Sequence, residues 1–192
     1  MTIREAVLVE FSLLSLACGD SRRDPDDAGA GARAGQQVTD STTAATRVSA
    51  PMRSAQGKDL GVLTLTQSSQ GIHLAGRLTG LPPGEHGIHL HTSGRCEAPK
   101  FESAGGHWNP TDRQHGTGSA QGPHLGDLPN ITVGRDSSVA VNATTPGGTF
   151  RNQNALLDSD GAAIVIHAKA DDYKSQPSGA SGDRIACGVV ES

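Results

Sequence analysis

Aromatic side chains are scarce in this sequence of 192 residues, which contains one Trp, one Tyr and three Phe. Large apolar residues in general are few, and no helical periodicity organises them, which argues against a helical bundle. Basic charge is not in excess either. With 16 Lys and Arg against 20 Asp and Glu, the formal charge is −4, and the basic face expected of a nucleic-acid binder is missing. Long hydrophobic runs are also lacking. The N-terminal run at 6–17, AVLVEFSLLSLA, is interrupted by Glu10 and is too short to span a bilayer as a stable helix. No internal repeat appears. Cysteine occurs three times, at Cys18, Cys96 and Cys187. The simplest arithmetic pairs the last two and gives Cys18 another fate.

What the sequence does have is glycine, 25 residues of it, together with β-branched Thr, Val and Ile. That mixture suits short strands joined by turns. The length leaves room for one ordinary domain plus extra sequence. Residues 1–18 resemble a bacterial lipoprotein signal peptide: Arg4 precedes the apolar run, small residues follow it, and Cys18 stands at the lipidation position. Ser15 occupies the place where a leucine is expected. Lipidation at Cys18 would attach the protein to a membrane. Residues 19–45 have almost no large apolar side chain, cannot bury enough surface to offset ordering entropy, and read as a disordered linker. Residues 1–45 carry seven acids and four arginines, which leaves 13 acids and 12 bases over 46–192. The expected domain, 46–192, is thus nearly neutral, and steering of a charged substrate there depends on local placement of charge.

Within that domain the pattern is of short alternating runs with turn signals between them. Strands are expected at 61–67, 71–81, 86–92, 130–144, 162–170 and 184–190, with a turn at Gln67–Gly71 and a Pro/Gly corner at 81–87. This pattern predicts an all-β sandwich or flattened barrel. Two long stretches, 92–129 and 168–183, lack strand character; loops of such length in a compact domain are usually functional or disordered.

Eight histidines occur. In GIHLHTS, His89 and His91 are one residue apart, so on a strand both rings project from one face while Ile88 and Leu90 point to the other. His167 sits on a second predicted strand and can add a third nitrogen to the same metal. The first long loop reads GGHWNPTDRQHG and then GPHLGDLPN, and its His107, His115, His124 and Asp127 suit a tetrahedral zinc site. His73 and His86 fall outside the strongest spacing and read as structural.

These residues resemble the copper/zinc superoxide dismutases, in particular their bacterial secreted branch. The likeness covers Val48 to Val190 and rests on GIHLH, GGHWNP with RQHG, HLGDLPN, HAKADDYKSQPSG and GDRIACGVV. The resemblance implies an eight-stranded Greek-key barrel with two long functional loops, carrying copper and zinc. By motif, His89, His91, His107 and His167 would bind copper, and His107, His115, His124 and Asp127 would bind zinc, with His107 bridging. Asp171 matches a carboxylate that links a copper histidine to a zinc histidine and fixes ring orientation. Arg184 matches the arginine that attracts the anion beside copper, and His107 the residue that handles a proton. Lys169 and Lys174 are weaker candidates for an attracting funnel. Cys96 and Cys187 match the intradomain disulfide, which requires an oxidising compartment. The substrate implied is the superoxide anion, and the place implied is the periplasm or cell envelope.

Three positions depart from the common pattern. Trp108 stands where a smaller aromatic is usual, Ser178 where a threonine is usual, and the gap from Cys96 to His107 exceeds that of the eukaryotic branch. No ligand is lost, but loop packing is affected, so a homodimer does not carry over from the resemblance. A metal carrier of the same fold would lack a copper ligand or the arginine, and both are present. A zinc hydrolase would need an open metal position and a nearby general base.

Overall fold

The computed structural model describes residues 47–191. The predicted export segment with Cys18 and the predicted linker 19–45 lie outside the described residues. In chain order the strands are β1 (Arg47–Ser54), β2 (Asp59–Ser68), β3 (Gly71–Thr79), β4 (Gly84–His86), β5 (Ile88–His91), β6 (Ile131–Val133), β7 (Ser138–Pro146), β8 (Ala163–His167) and β9 (Arg184–Val189). A single 3-10 turn, Glu102–Ala104, is the one helical element among the described residues.

Seven strands form an antiparallel sheet in the order β5-β8-β9-β1-β2-β3-β7, and β4 pairs with β6. Only Gly87 separates β4 from β5, so one run of chain serves both sheets. Likewise β6 leads through a short turn at 134–137 into β7. The small sheet therefore joins the two edges of the large one and closes a flattened barrel. With β4 and β5 taken as one strand bent at Gly87, this is the eight-stranded all-β architecture that the resemblance implies. Return of β9 beside β1, and of β7 beside β3, gives the Greek-key connections.

Alternation supplies the core. In β7, Val139, Val141, Ala143 and Thr145 point inward and their neighbours outward, the period of a half-buried strand. In β2, Leu60 and Leu63 are both buried although three residues apart. The register explains this: Met52 pairs with Gly61 but Arg53 with Asp59, so Leu60 is an extra, bulged residue that resets the inward face. β5 and β8 are buried on both faces. Ile88, Leu90, Ile164 and Ile166 enter the main core. Ala163 and Val165 join Phe101, Ala104 and Cys187 in a smaller cluster on the other side.

The expected corner 81–87 contains β4, and the expected strand 162–170 stops at His167. Three differences from the sequence-based expectation are larger. β1 was not anticipated: its Val48, Ala50 and Met52 do alternate inward, but Pro51 and two arginines mask the pattern. Pro51 is tolerated because it falls in a gap on that side of β1, between the Ser49–Glu191 bridge and the pairing of Arg53 and Ser54 with β9. The expected strand 130–144 is broken at Gly134–Ser137, where Ser137 donates its N–H to the Gly134 carbonyl at 2.9 Å. A third long strand-free segment, 147–162, joins the two expected ones, and it carries none of the predicted ligands.

Candidate metal centre

His89 and His91 project from β5 on the face opposite Ile88 and Leu90, and His167 ends the neighbouring β8, which pairs with β5 in antiparallel register. These three rings and His107 form one set, with one candidate ligand atom from each lying within 4.8 Å of all the others. A second set, His107, His115, His124 and Asp127, meets the same limit. His107 belongs to both.

His107 and Asp127 come from the long loop, and backbone hydrogen bonds sew that loop to β5. Trp108 N–H donates to the Leu90 carbonyl at 2.8 Å, Gly126 N–H to the Trp108 carbonyl at 2.8 Å, and Leu90 N–H to the Gly126 carbonyl at 2.9 Å. Each bonded residue adjoins a set member in sequence. The approach is so close that a Cβ at Gly126 would stand 2.4 Å from the Leu90 carbonyl oxygen, which is why this position is glycine. The larger Trp108 is accommodated by the 147–162 segment. Its indole N–H donates to the Ala155 carbonyl at 3.1 Å, and its ring fills the space that a side chain at Gly148 would need.

Nearly every ring is held at one nitrogen and turned inward at the other. His91 Nδ1 donates to the Gly105 carbonyl at 3.0 Å and His167 Nδ1 to the Gly182 carbonyl at 3.1 Å. His89 Nε2 and His115 Nε2 lie 2.7 and 3.0 Å from the two oxygens of Asp171. The nitrogens left over, His89 Nδ1, His91 Nε2, His107 Nε2, His115 Nδ1 and His167 Nε2, are buried without a hydrogen-bond partner. Unsatisfied buried polar atoms are rare and costly. In the second set, Asp127 Oδ1 lies 2.8, 3.0 and 3.1 Å from Nδ1 of His107, His115 and His124. Three imidazole nitrogens and one carboxylate oxygen converging in this way form a cation-binding donor set, and nitrogen-rich sets of this kind suit zinc and copper.

The protonation states differ between the sets. Burial, with repulsion from neighbouring rings, pushes His167 down to about 3 and His107 down to about 4. His91 is lowered well below its ordinary value by burial and by His107. Burial opposes protonation of His115 as well, but the Asp127 and Asp171 carboxylates, each 3.0 Å from one of its ring nitrogens, outweigh it and raise its pKa to about 9. Both carboxylates are buried, yet hydrogen bonds from histidines and from backbone N–H groups hold their pKa values well below the usual range.

Arg184, at the start of β9, donates from Nη1 to the Phe101 carbonyl and from Nη2 to the Gly105 carbonyl, each at 2.7 Å. The Gly105 carbonyl also holds His91, so the guanidinium is fixed beside the first set. Burial lowers its pKa, and Glu102 pulls the other way. An open cleft lined by Pro99, Lys100, Glu102, Gly182 and Asp183 reaches it. Lys169 runs along Gly182, near this cleft, whereas Lys174 packs beside Gly118 on the second-set side. Lys100 and Glu102 were not singled out in the sequence. Cys96 and Cys187 form a disulfide with Cα atoms 5.7 Å apart, spanning 91 residues. It ties the loop that carries Phe101 and Gly105 to the strand that carries Arg184.

The two other histidines stand apart from the sets. Buried His86 has Nδ1 2.7 Å from the His167 carbonyl and Nε2 2.9 Å from the Pro82 carbonyl. His73 pairs with Asn142 at 2.8 Å on the outer face of the sheet. Sequence reasoning missed two carboxamides. Asn130 accepts from Asp171 N–H through Oδ1 and donates to the Asp171 carbonyl through Nδ2, both at 2.9 Å. Gln176 grips His115 in the same two-point manner. Both lie inside the quoted motifs, but a side chain that bonds backbone leaves no spacing pattern to read.

A closed β-barrel with two imidazole sets sharing one ring defines a paired-metal protein. The profile described as copper/zinc superoxide dismutase (SODC) matches residues 60–190. The chain is 41% identical over 139 residues to superoxide dismutase [Cu-Zn] 1 of Aquifex aeolicus, covering 71% of this chain and 82% of that protein. It is 39% identical over 146 residues to superoxide dismutase [Cu-Zn] of Caulobacter vibrioides, covering 74% and 84%. Among solved structures, a SOD-like protein from Bacillus subtilis matches with a TM-score of 0.71 at 38% identity, over 74% of this chain and 97% of that one. The chain belongs to the copper/zinc superoxide dismutase family.

Proposed function

We propose that the protein is a copper- and zinc-dependent superoxide dismutase, in which two superoxide ions and two protons give dioxygen and hydrogen peroxide. The observation that carries this reading is His107, whose Nδ1 faces Asp127 at 2.8 Å while its buried Nε2 faces the other imidazoles without a partner. His89, His91, His107 and His167 form the copper site, and His107, His115, His124 and Asp127 the zinc site. Bound copper supplies one-electron redox chemistry, and bound zinc a fixed charge without any.

The chain's own groups do the rest. Arg184, fixed by two carbonyls and facing the cleft, attracts and orients the anion. Neutral imidazole is the form that offers a lone pair, and burial keeps His91, His107 and His167 neutral near pH 7. His107 Nε2 is the buried nitrogen placed to hold a proton for peroxide and give it up. Asp171 couples the sites by fixing one ring of each.

Elemental analysis with a superoxide-removal assay after metal loading tests the reading. Copper and zinc bound together, with activity that depends on copper, is the expected result. Full occupancy without turnover would favour a metal carrier of the same fold.

The proposed site of action is outside the cytoplasm, in the periplasm or cell envelope, with protection of the envelope from oxidative damage as the role. The Cys96–Cys187 bond is one support, because disulfides persist in oxidising compartments. The other is the signal-like segment 1–18, with membrane attachment through lipidated Cys18 and residues 19–45 as linker. Fractionation of cells expressing the protein and a Cys18→Ser variant should show the parent with membranes and the variant released. Identical partitioning would remove the anchor.

A further inference from the structure

His115 is fully buried, yet it lies in no strand or helix, so no ladder fixes its backbone. Its main-chain groups take their partners from side chains. Gln176 Oε1 accepts from the His115 N–H at 2.9 Å, and Gln176 Nε2 donates to the His115 carbonyl at 3.0 Å. The same carboxamide nitrogen reaches Ser119 Oγ at 3.2 Å and the Lys174 carbonyl at 3.0 Å. One planar amide thus reproduces the two-point pairing that a neighbouring strand would give. It does so between segments 61 residues apart, the loop that carries the second ligand set and the loop before β9.

The position being fixed is a demanding one. The His115 ring spans two carboxylates, with Nδ1 3.0 Å from Asp127 Oδ1 and Nε2 3.0 Å from Asp171 Oδ1. A small shift of the His115 backbone would move Nδ1 off the point where His107, His124 and Asp127 converge, and would release Asp171, the carboxylate that also holds His89. The His115 ring cannot correct such a shift by rotating without breaking one of those contacts. Gln176 itself is exposed. Its removal therefore takes the partner of the His115 N–H at a solvent-facing contact and leaves the carbonyl to Ser119 Oγ alone, so the cost falls on position more than on folding.

We propose that Gln176 is a positioning residue for zinc, clamping the His115 backbone so that the loop 168–183 governs how tightly the second ligand set holds its metal. The inference rests on the proposed assignment of that set to zinc.

The test compares the copper- and zinc-loaded protein with Gln176→Ala and Gln176→Glu. Zinc and copper release to a chelator, the visible spectrum with cobalt(II) in place of zinc, and the melting of the metal-free chain are followed. Outer contacts to metal ligands typically change affinity by about 10- to 100-fold. Gln176→Ala should release zinc about tenfold faster or more and alter the cobalt spectrum, with copper release and metal-free melting close to the parent. Gln176→Glu keeps the acceptor for His115 N–H but has no N–H for the carbonyl, so its zinc release should fall between the two. Parent-like zinc release with an unchanged cobalt spectrum in Gln176→Ala overturns the proposal. So does equal acceleration for both metals with a matching loss of metal-free stability, which would make Gln176 a general loop staple. A parent protein that takes up neither zinc nor cobalt removes the zinc assignment, and the positioning role with it.

Discussion

His89, His91 and His167 stand on β5 and β8, whereas His115, His124 and Asp127 stand on a loop with no strand between 92 and 130. The first group inherits its geometry from a hydrogen-bonded ladder whose far face is packed with isoleucine and leucine. The second has no continuous ladder: backbone bonds through Gly126 and Trp108 anchor its Asp127 end to β5, and side chains hold the rest, Gln176 on His115, and Asp127 on the Gly116 and His124 N–H groups at 2.8 and 3.0 Å. The electrostatics differ in the same sense. In the metal-free chain, burial keeps two strand-borne rings, His91 and His167, and the shared His107 neutral, while two carboxylates raise the pKa of loop-borne His115. The proposed copper set and the proposed zinc set thus share one ring and are built by different physical means.

His107 joins the two groups, and replacing it is the severest way to test the contrast. His107→Ala should weaken both metals and lower kcat/KM by roughly 10²–10⁴-fold, the range for a lost acid–base group. Metal analysis that shows loss from one set only would separate the sites.

Acidity probes the two groups from opposite sides in the metal-free chain. His107 and His167 have folded pKa values of about 4 and about 3, below the ordinary value of about 6.5. The unfolded chain binds their protons first, so stability falls as pH drops from about 6.5, by up to about 1.4 kcal/mol per pH unit for each ring. His115 at about 9 does the reverse. Its contribution is complete below about pH 6.5 and is lost as pH rises through 9. The melting temperature of the metal-free protein should therefore peak near neutrality and fall on both sides. A profile that falls on one side only would erase the distinction between the groups.

The disulfide ties the first part of the long loop to β9. On the chain-entropy model, a bridge across 91 residues contributes about 4–5 kcal/mol. Chemical denaturation with and without reductant should show a loss of that order. Unchanged stability would mean that the loop is held by its other contacts.

Arg184→Ala should leave both metals in place and reduce kcat/KM by about 10- to 100-fold, with a weaker dependence on ionic strength. Glu102→Gln, which removes an opposing charge from the same cleft, should raise kcat/KM by less than about threefold at low salt, an effect that added salt abolishes. Loss of copper in the arginine variant would recast it as part of the site's frame.

The candidate donor residues were legible because metal chemistry restricts residue type and spacing: His89 and His91 alternate on a strand, and GGHWNP, RQHG and HLGDLPN mark the loop. The barrel was legible from period-two runs such as Val139, Val141 and Ala143. β1 was obscured because Pro51 reads as a strand breaker until it is known to fall in a gap of the neighbouring ladder. The break at Gly134–Ser137 carried a turn signal, Gly-Arg-Asp-Ser, inside an otherwise convincing strand. Asn130 and Gln176 had no such signal. A carboxamide that pairs with a distant backbone acts through three-dimensional proximity, which no local pattern encodes.

β1 begins at Arg47 and runs to Ser54, and the next residue, Ala55, lines the cleft that Arg184 faces. At about 3.3 Å per residue, Arg47 is about 25 Å from that mouth. Arg47 and Ala55 thus stand at opposite ends of one strand, and the cleft mouth lies at the Ala55 end.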